Sequence, residues 1–408
     1  MRRSYLAIKR ALWLFLFTVI STNIVQSNQQ PPLLIHALRV FDGDAIRTNT
    51  SVLVSDGKVT RIDKRDAFNL SNVREIDLGD ATLLPGFIDL HAHIKFHHIS
   101  EYVVLKHGIT TVHDLGGPLN STPGGEGHLR VLSSGPIITA PDGYPINIMG
   151  ADNIAIAVSS EQQARAVVKD FIKGGASIIK IALEPGGEIG APWTHAHQHH
   201  HEKPPLKSVH SHNSWPMLSE ALVKAIVDEA HHLDHKVTAH ISESKGAKIA
   251  LTAGVDEWAH VPCAKLSDAL LNEAVSKNVT VVTTLDTLSK CPGANHNAYV
   301  LSKLGAHLLY GAEIAHSDIP WGIDAQELIS IQQATQMEAV DILKLATSKS
   351  GEYLKLPLLG SLHAGAPADI IAVKGNPLDN FKVLEYPDFV MTGGYVVINN
   401  YSSGINDH

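Results

Sequence analysis

Residues 83–94, LLPGFIDLHAHI, carry the reading of the fold. A Pro85-Gly86 step leads into a short apolar run that ends in His91-Ala92-His93. Side chains i and i+2 of a strand point the same way, so both imidazoles emerge together at its carboxyl end. Parallel α/β barrels place their chemistry there. Two neutral imidazoles on one face make a half-site for zinc or a similar borderline metal. Alone, they describe a pair of surface histidines equally well.

Outward from this run the pattern alternates between strand and helix. A short helix over residues 100–107 stops at Gly108 and gives way to a strand at 109–113. Further strands are expected at 137–140, 178–181, 237–241, 257–261, 279–284 and 307–311. Helices are expected at 160–172, where Ser160 and Gln163 form a capping box, and at 220–232, 244–253, 268–276, 324–335 and 337–346. About eight βα units of this kind predict an α/β fold, a (β/α)8 TIM barrel. An open doubly wound sheet is the alternative, but no Gly-x-Gly-x-x-Gly turn follows an early strand.

Both ends of the chain read differently. Leu33–Phe41 alternates as a strand, and 52–55 and 58–62 form a hairpin through Asp56-Gly57, where both positions tolerate positive φ. Residues 75–78 and 81–84 predict a second hairpin through Gly79-Asp80, and 368–374 and 390–398 are again β-like. Two β segments flanking a different middle predict a small β-sandwich built from both ends. The expected organisation is a leader at 1–27, sandwich halves at 28–85 and 357–408, and the barrel at 86–356 with an insertion at 194–215.

Composition narrows the partners. A net charge of −8 without a basic cluster in the body argues against nucleic acid. Histidine is abundant, 25 against 33 Lys+Arg, which suits metal chemistry. Cys263 and Cys291 exclude a disulfide framework and leave room for one bridge. Arg2, Arg3, Lys9 and Arg10 precede an apolar run at 11–20 and small residues near Ser27, which reads as a secretory signal. An uncleaved anchor is the alternative, and either way the folded part is expected to be periplasmic or secreted. No later run is long and apolar enough to span a bilayer. A small-molecule substrate and a homo-oligomer are the expected partners.

Four candidate strand ends carry polar groups that a buried strand does not need. His91 and His93 end the first, Lys180 lies in the fourth, His240 ends the fifth and His260 the sixth. Lys180 is flanked by Ile178, Ile179 and Ile181, so its ammonium would be costly to bury unpaired. Burial favours the neutral amine, which can add carbon dioxide to give an anionic carbamate able to bridge two cations. A lysine paired with a buried carboxylate is the plainer reading.

With these residues in view, the chain resembles the amidohydrolase superfamily over essentially its whole mature length. PGFIDLHAH, the strand lysine, the two later strand-end histidines and GSLHAGAPADIIAV at 360–373 carry the resemblance. It is most similar to the lysine-bridged binuclear members, the prolidase-like and imidazolonepropionase-like branch. The resemblance implies two divalent ions, most simply zinc. His91 and His93 would hold the inner ion, His240 and His260 the outer one, and N-carboxylated Lys180 would bridge them. A metal-bridging hydroxide would attack a C–N bond, with an N-acyl amino acid or dipeptide as substrate. A lactone or cyclic amide is the alternative substrate, and a weakly active or inactive metal-binding paralogue the alternative function.

Two departures qualify the resemblance. The family has an aspartate after the eighth strand, where this chain reads LLYGAEIAHSDIPWGID from 308. Glu313 aligns with it as the catalytic carboxylate, and Asp318 is the alternative. The extra methylene of glutamate moves the carboxylate by about 1 Å, a displacement that costs on the order of 100-fold in rate if uncorrected. The second departure is the insertion at 194–215, which holds His195, His197, His199, His200, His201, His210 and His212. It reads as a metal-gathering lid or as a solvated insertion. Tyr144 and Arg130 are the candidate substrate-binding residues.

Overall fold

The computed structural model describes residues 31–150, 152–194, 214–316 and 318–401. The expected leader and the seven histidines of the insertion lie outside the described residues. The fold turns on the strand Phe87–Ala92, which is buried along its whole length. Gly86 admits it: a Cβ there would meet the Thr110 side chain at 2.1 Å. The strand runs parallel to Ile109–Asp114, which in turn runs parallel to His128–Ser133.

A second parallel sheet takes the order Ala155–Ala157, Ile137–Thr139, Ile179–Leu183, Val237–Ile241, Glu257–Trp258, Thr280–Val282 and His307–Leu309. Backbone bonds join the two sheets at both margins. Leu90 N donates to Tyr310 O at 3.2 Å and His93 N to Ile314 O at 2.9 Å on one side, and Ser177 N donates to Ser133 O at 2.8 Å on the other. The result is an α/β fold whose strand series is consistent with a barrel. Strands such as Ile179–Leu183 and Val237–Ile241 are buried at every position, as parallel strands covered by helices must be.

The intervening helices start where small polar residues accept orphan N–H groups. Ser160 accepts from Gln163 N, Ser219 from Leu222 N and Ser267 from Leu270 N. Glu220–His232, Ser244–Ala253 and Asp268–Ser276 match the residues the sequence predicts, and the helix ending at Ala253 is stopped by Gly254 at φ +84°. The helix Ala294–Lys303 and the hairpin of Thr122–Gly125 with His128–Ser133 are additions that the apolar pattern does not announce.

Both chain ends share one eight-stranded sheet. Leu33–Phe41, Ala81–Pro85, Ile370–Lys374 and Phe389–Thr392 form its centre. Alternate residues divide between two cores: Leu84, Ile371 and Val390 face the parallel sheets, while Leu83, Ile370 and Met391 face a second core with Val52 and Val59. The terminal strands form one hydrogen-bonded sheet around its own core. One sequence expectation is corrected here. Arg74–Asp77 and Ala81–Pro85 do not pair as a hairpin, because both run parallel to Leu33–Phe41. Gly79 O accepts from Leu38 N at 3.0 Å, so the chain sidesteps at Gly79-Asp80 and continues in the same direction. The Asp56-Gly57 turn does close a hairpin, with φ of +52° and +74°.

Cys263 and Cys291 form a disulfide between residues 28 apart in the chain. Among the described residues, no helix is long and apolar enough to cross a membrane.

The approach at Gly86 yields a stability prediction. Gly86→Ala should destabilise the fold by about 1–3 kcal/mol through overpacking against Thr110, read as a lower urea midpoint at unchanged slope. A midpoint equal to wild type would show that the strand is free to move there.

Candidate metal centre

The first strand and the segment after the last one meet at the site. Ala92 bridges to Ile314, and His93 N donates to Ile314 O, so the segment folds back across the end of the first strand. Gly311 permits this, since a Cβ would lie 2.4 Å from Val282 Cγ1 and 3.0 Å from His91 Cβ. Glu313 then sits at φ +64°, an uncommon conformation for glutamate that marks local strain. One ligand atom each from His91, His93 and Glu313 lies within 4.8 Å of the other two.

The same cavity, about 470 Å³, is lined by Lys180, His240 and His260 as well as His91, His93 and Glu313. His91 and His260 rings are 4.4 Å apart between centroids, and His240 and His260 rings 4.8 Å. Three imidazoles have one nitrogen already committed. His91 Nδ1 bonds Ala259 O at 2.7 Å, His260 Nδ1 bonds Thr284 Oγ1 at 2.9 Å, and His240 Nε2 bonds Glu184 Oε2 at 3.0 Å. The Ala259 carbonyl can only accept, so His91 Nδ1 carries the proton and Nε2 keeps its lone pair.

His91, His93 and Glu313 fit a divalent ion. His91 Nε2 and His93 Nε2 stand 3.2 Å apart. Two nitrogens bound to one tetrahedral zinc at ordinary bond lengths stand about 3.3 Å apart. Among the described residues, Lys180 Nζ, His93 Nδ1 and Glu313 Oε2 are buried without a hydrogen-bond partner, which is costly unless something else satisfies them.

Electrostatics favours the same chemistry. Burial, then the Lys180 charge, holds His91 and His93 well below the usual imidazole range, and the same causes act on His240. Burial lowers Lys180 too, against the pull of Glu313 and Glu257. Burial raises Glu313, against the pull of Lys180. Neutral imidazoles and an amine shifted toward neutrality are the protonation states that metal ligation and carbamate formation require.

The remaining candidates separate. Tyr144 lines the cavity and packs on His240 at 4.7 Å. Asp318 is exposed and borders a different cleft, with Asp286 and Lys290. Arg130 is a correction: it does not line the cavity. Its guanidinium donates to the Pro123 carbonyl and stands 3.6 Å from Asp369 Oδ2, so it ties the extra hairpin to the terminal sheet. Sequence reasoning missed Glu184 and Thr284, which orient ligand-type imidazoles. A carboxylate just past the strand that holds Lys180 was the available signal for Glu184. The flanks of the insertion are at the site: Trp193 packs on His240 at 4.4 Å, and Trp215 stacks on Tyr144 at 6.1 Å.

Comparison with known proteins agrees with this geometry. The profile of the Amidohydrolase family matches residues 82–397. The ochratoxinase of Aspergillus niger is 25% identical over 296 residues, 67% of this chain and 55% of that protein, so the chain spans about half the length of this curated relative. An allantoinase of Streptomyces avermitilis is 34% identical over 99 residues, 22% of each chain. Among solved structures, a Xaa-Pro dipeptidase with bound methionine superposes at a TM-score of 0.70 with 22% identity, covering 90% of this chain and 99% of its own. The A. niger ochratoxinase structure gives 0.71 with 19% identity, covering 92% and 98%.

Behind the site runs a set of buried acids. Asp89 accepts from His91 N at 2.8 Å and is pushed up to about 8 by burial. Asp324 is raised to about 7 by burial and then Asp286, and Glu327 to about 8 by burial. An acid raised in the folded state stabilises below its unfolded pKa, and that contribution is lost as pH climbs to the folded value. Metal-stripped protein should therefore lose stability from roughly pH 5 to pH 8. Glu327→Gln should flatten the fall by up to about 1.4 kcal/mol per pH unit. Urea titrations across that range check it, and an unchanged slope in the variant would contradict the assignment.

Proposed function

The chain belongs to the amidohydrolase family, and on that premise we propose that it is a metal-dependent hydrolase of amide or peptide C–N bonds in small apolar substrates. The observation that carries the reading is the convergence of four imidazoles, Lys180 and Glu313 on one cavity. His91, His93 and Glu313 would hold one ion, and His240 and His260 a second, with zinc the natural choice for nitrogen and carboxylate donors. Lys180 would bridge them as its carbamate: Nζ forms a bond to the carbon of carbon dioxide and releases a proton, giving two anionic oxygens. Bound ions make water a nucleophile near neutral pH and polarise the scissile carbonyl.

The protein's own part is positioning and proton handling. Water oxygen adds to the carbonyl carbon, the C–N bond breaks, and the departing nitrogen takes up a proton that Glu313 Oε2 has received from the water. Among the described residues this oxygen has no hydrogen-bond partner, so it is available for that exchange. Phe96, Ile137, Ile148, Met149 and Ile154 supply an apolar wall, which suits a substrate with an alkyl or aryl flank, such as an N-acyl amino acid or dipeptide. Tyr144 would contact it. The parallel strands would close as a (β/α)8 barrel around this cavity. The Cys263–Cys291 disulfide supports a secreted or periplasmic location, because such bonds persist in oxidising compartments.

Metal content and turnover, in wild type and in two variants, test the proposal. Zinc-loaded protein should carry two ions per chain and hydrolyse an apolar member of an N-acyl amino acid and dipeptide panel. Glu313→Gln should lower kcat by about 100-fold or more while leaving folding intact. Lys180→Ala should lose metal, with partial recovery in short carboxylic acids. Full metal loading with no turnover of any amide, peptide or lactone would rule out the hydrolase; two ions retained in Lys180→Ala would rule out the bridge.

A further inference from the structure

Resting on the two-ion reading above, the structure assigns Glu184 as the positioning residue that presents His240 Nδ1 to the outer ion. Glu184 follows directly on the strand Ile179–Leu183, whose Ala182 pairs with His240 in the neighbouring strand. One carboxylate oxygen accepts from Gly186 N at 2.6 Å, which fixes the carboxylate against its own turn. Gly186 is at φ +77°, a conformation that lets the turn fold back on the carboxylate. The other oxygen is 3.0 Å from His240 Nε2.

A carboxylate accepts hydrogen bonds, so the proton lies on Nε2 and the lone pair on Nδ1. Without this partner, His240 could carry its proton on either nitrogen, and a ligand imidazole must have the right one bare. Both side chains are sealed from solvent, with exposures of 3% and 0%, so water does not replace the bond. Trp193 lies against His240 on the same turn-bearing segment and limits its rotation. Among the described residues, this is the hydrogen bond that holds the ring from its Nε2 side.

The test is a double-substitution cycle in zinc affinity, measured on the full chain by competition with a chromophoric chelator. Glu184→Ala should weaken one of the two ions by about 10–100-fold. Glu184→Gln, which keeps shape and an accepting oxygen, should recover part of that loss. In a His240→Ala background neither substitution should weaken zinc further, because the group they act through is gone. Equal losses in both backgrounds, or unchanged affinity in Glu184→Ala, would overturn the assignment. Should Glu184→Ala fail to fold, the same comparison with Glu184→Gln decides it. A wild-type chain that takes up no divalent ion defeats this inference together with the hydrolase reading. A chain that takes up two ions yet hydrolyses no amide defeats only the latter.

Discussion

Burial of a primary amine within a hydrophobic strand is the constraint from which the rest follows. Lys180 is 1% exposed, and its nitrogen has no hydrogen-bond partner among the described residues. An isolated ammonium in such a place would cost several kcal/mol. Three outcomes relieve that cost: neutrality, an ion pair, or conversion to another species. Glu257 and Glu313 pull the amine toward its charged form, and burial pushes it the other way. On the proposed function, a carbamate shared between two cations would remove the ammonium, and the cations would take up the imidazole lone pairs.

The surrounding chain is arranged to keep those donors fixed. Each of three imidazoles is anchored at one nitrogen by a partner from a different element: the Ala259 carbonyl, the Thr284 hydroxyl and the Glu184 carboxylate. The anchors come from segments just beyond strand ends, where the backbone is not committed to the sheet. Thr284 and Glu313 both lie at positive φ, +47° and +64°. Strands thus carry His91, Lys180 and His240, while the segments just past strand ends carry His93, His260 and Glu313 together with the groups that orient the imidazoles.

The framework was legible because its signals are periodic. Strand Leu33–Phe41 and helix Glu220–His232 emerge with the residues that the apolar pattern predicts. The convergence of His91, His93, Lys180, His240, His260 and Glu313 was legible because each follows or sits within a strand of one parallel series. What could not be read was which neighbours a side chain finds off that series. Arg130 lies between predicted strands and looks like a pocket residue. An unannounced hairpin carries it instead to Asp369, 239 residues away in the chain by simple subtraction. Glu184 was passed over for the converse reason: an acid in a glycine-rich turn looks solvated, and only the tertiary fold shows its side chain sealed against His240.

The disulfide brings these themes to the rim of the site. Cys263 lies three residues after His260, and Cys291 lies seven after Thr284, the residue that bonds His260 Nδ1. The bridge therefore ties together the two segments whose contact orients that imidazole. Asn297 reinforces the junction by donating to the Pro262 and Ala264 carbonyls at 2.9 and 2.8 Å, on either side of Cys263. A ligand near a rim would otherwise inherit the mobility of its loop, and a misplacement of about 1 Å is costly in a metal site that must also place a nucleophile. A covalent tie and a buried amide thus hold the His260 segment in place. Glu184 and Trp193 do the equivalent for His240 without a covalent bond.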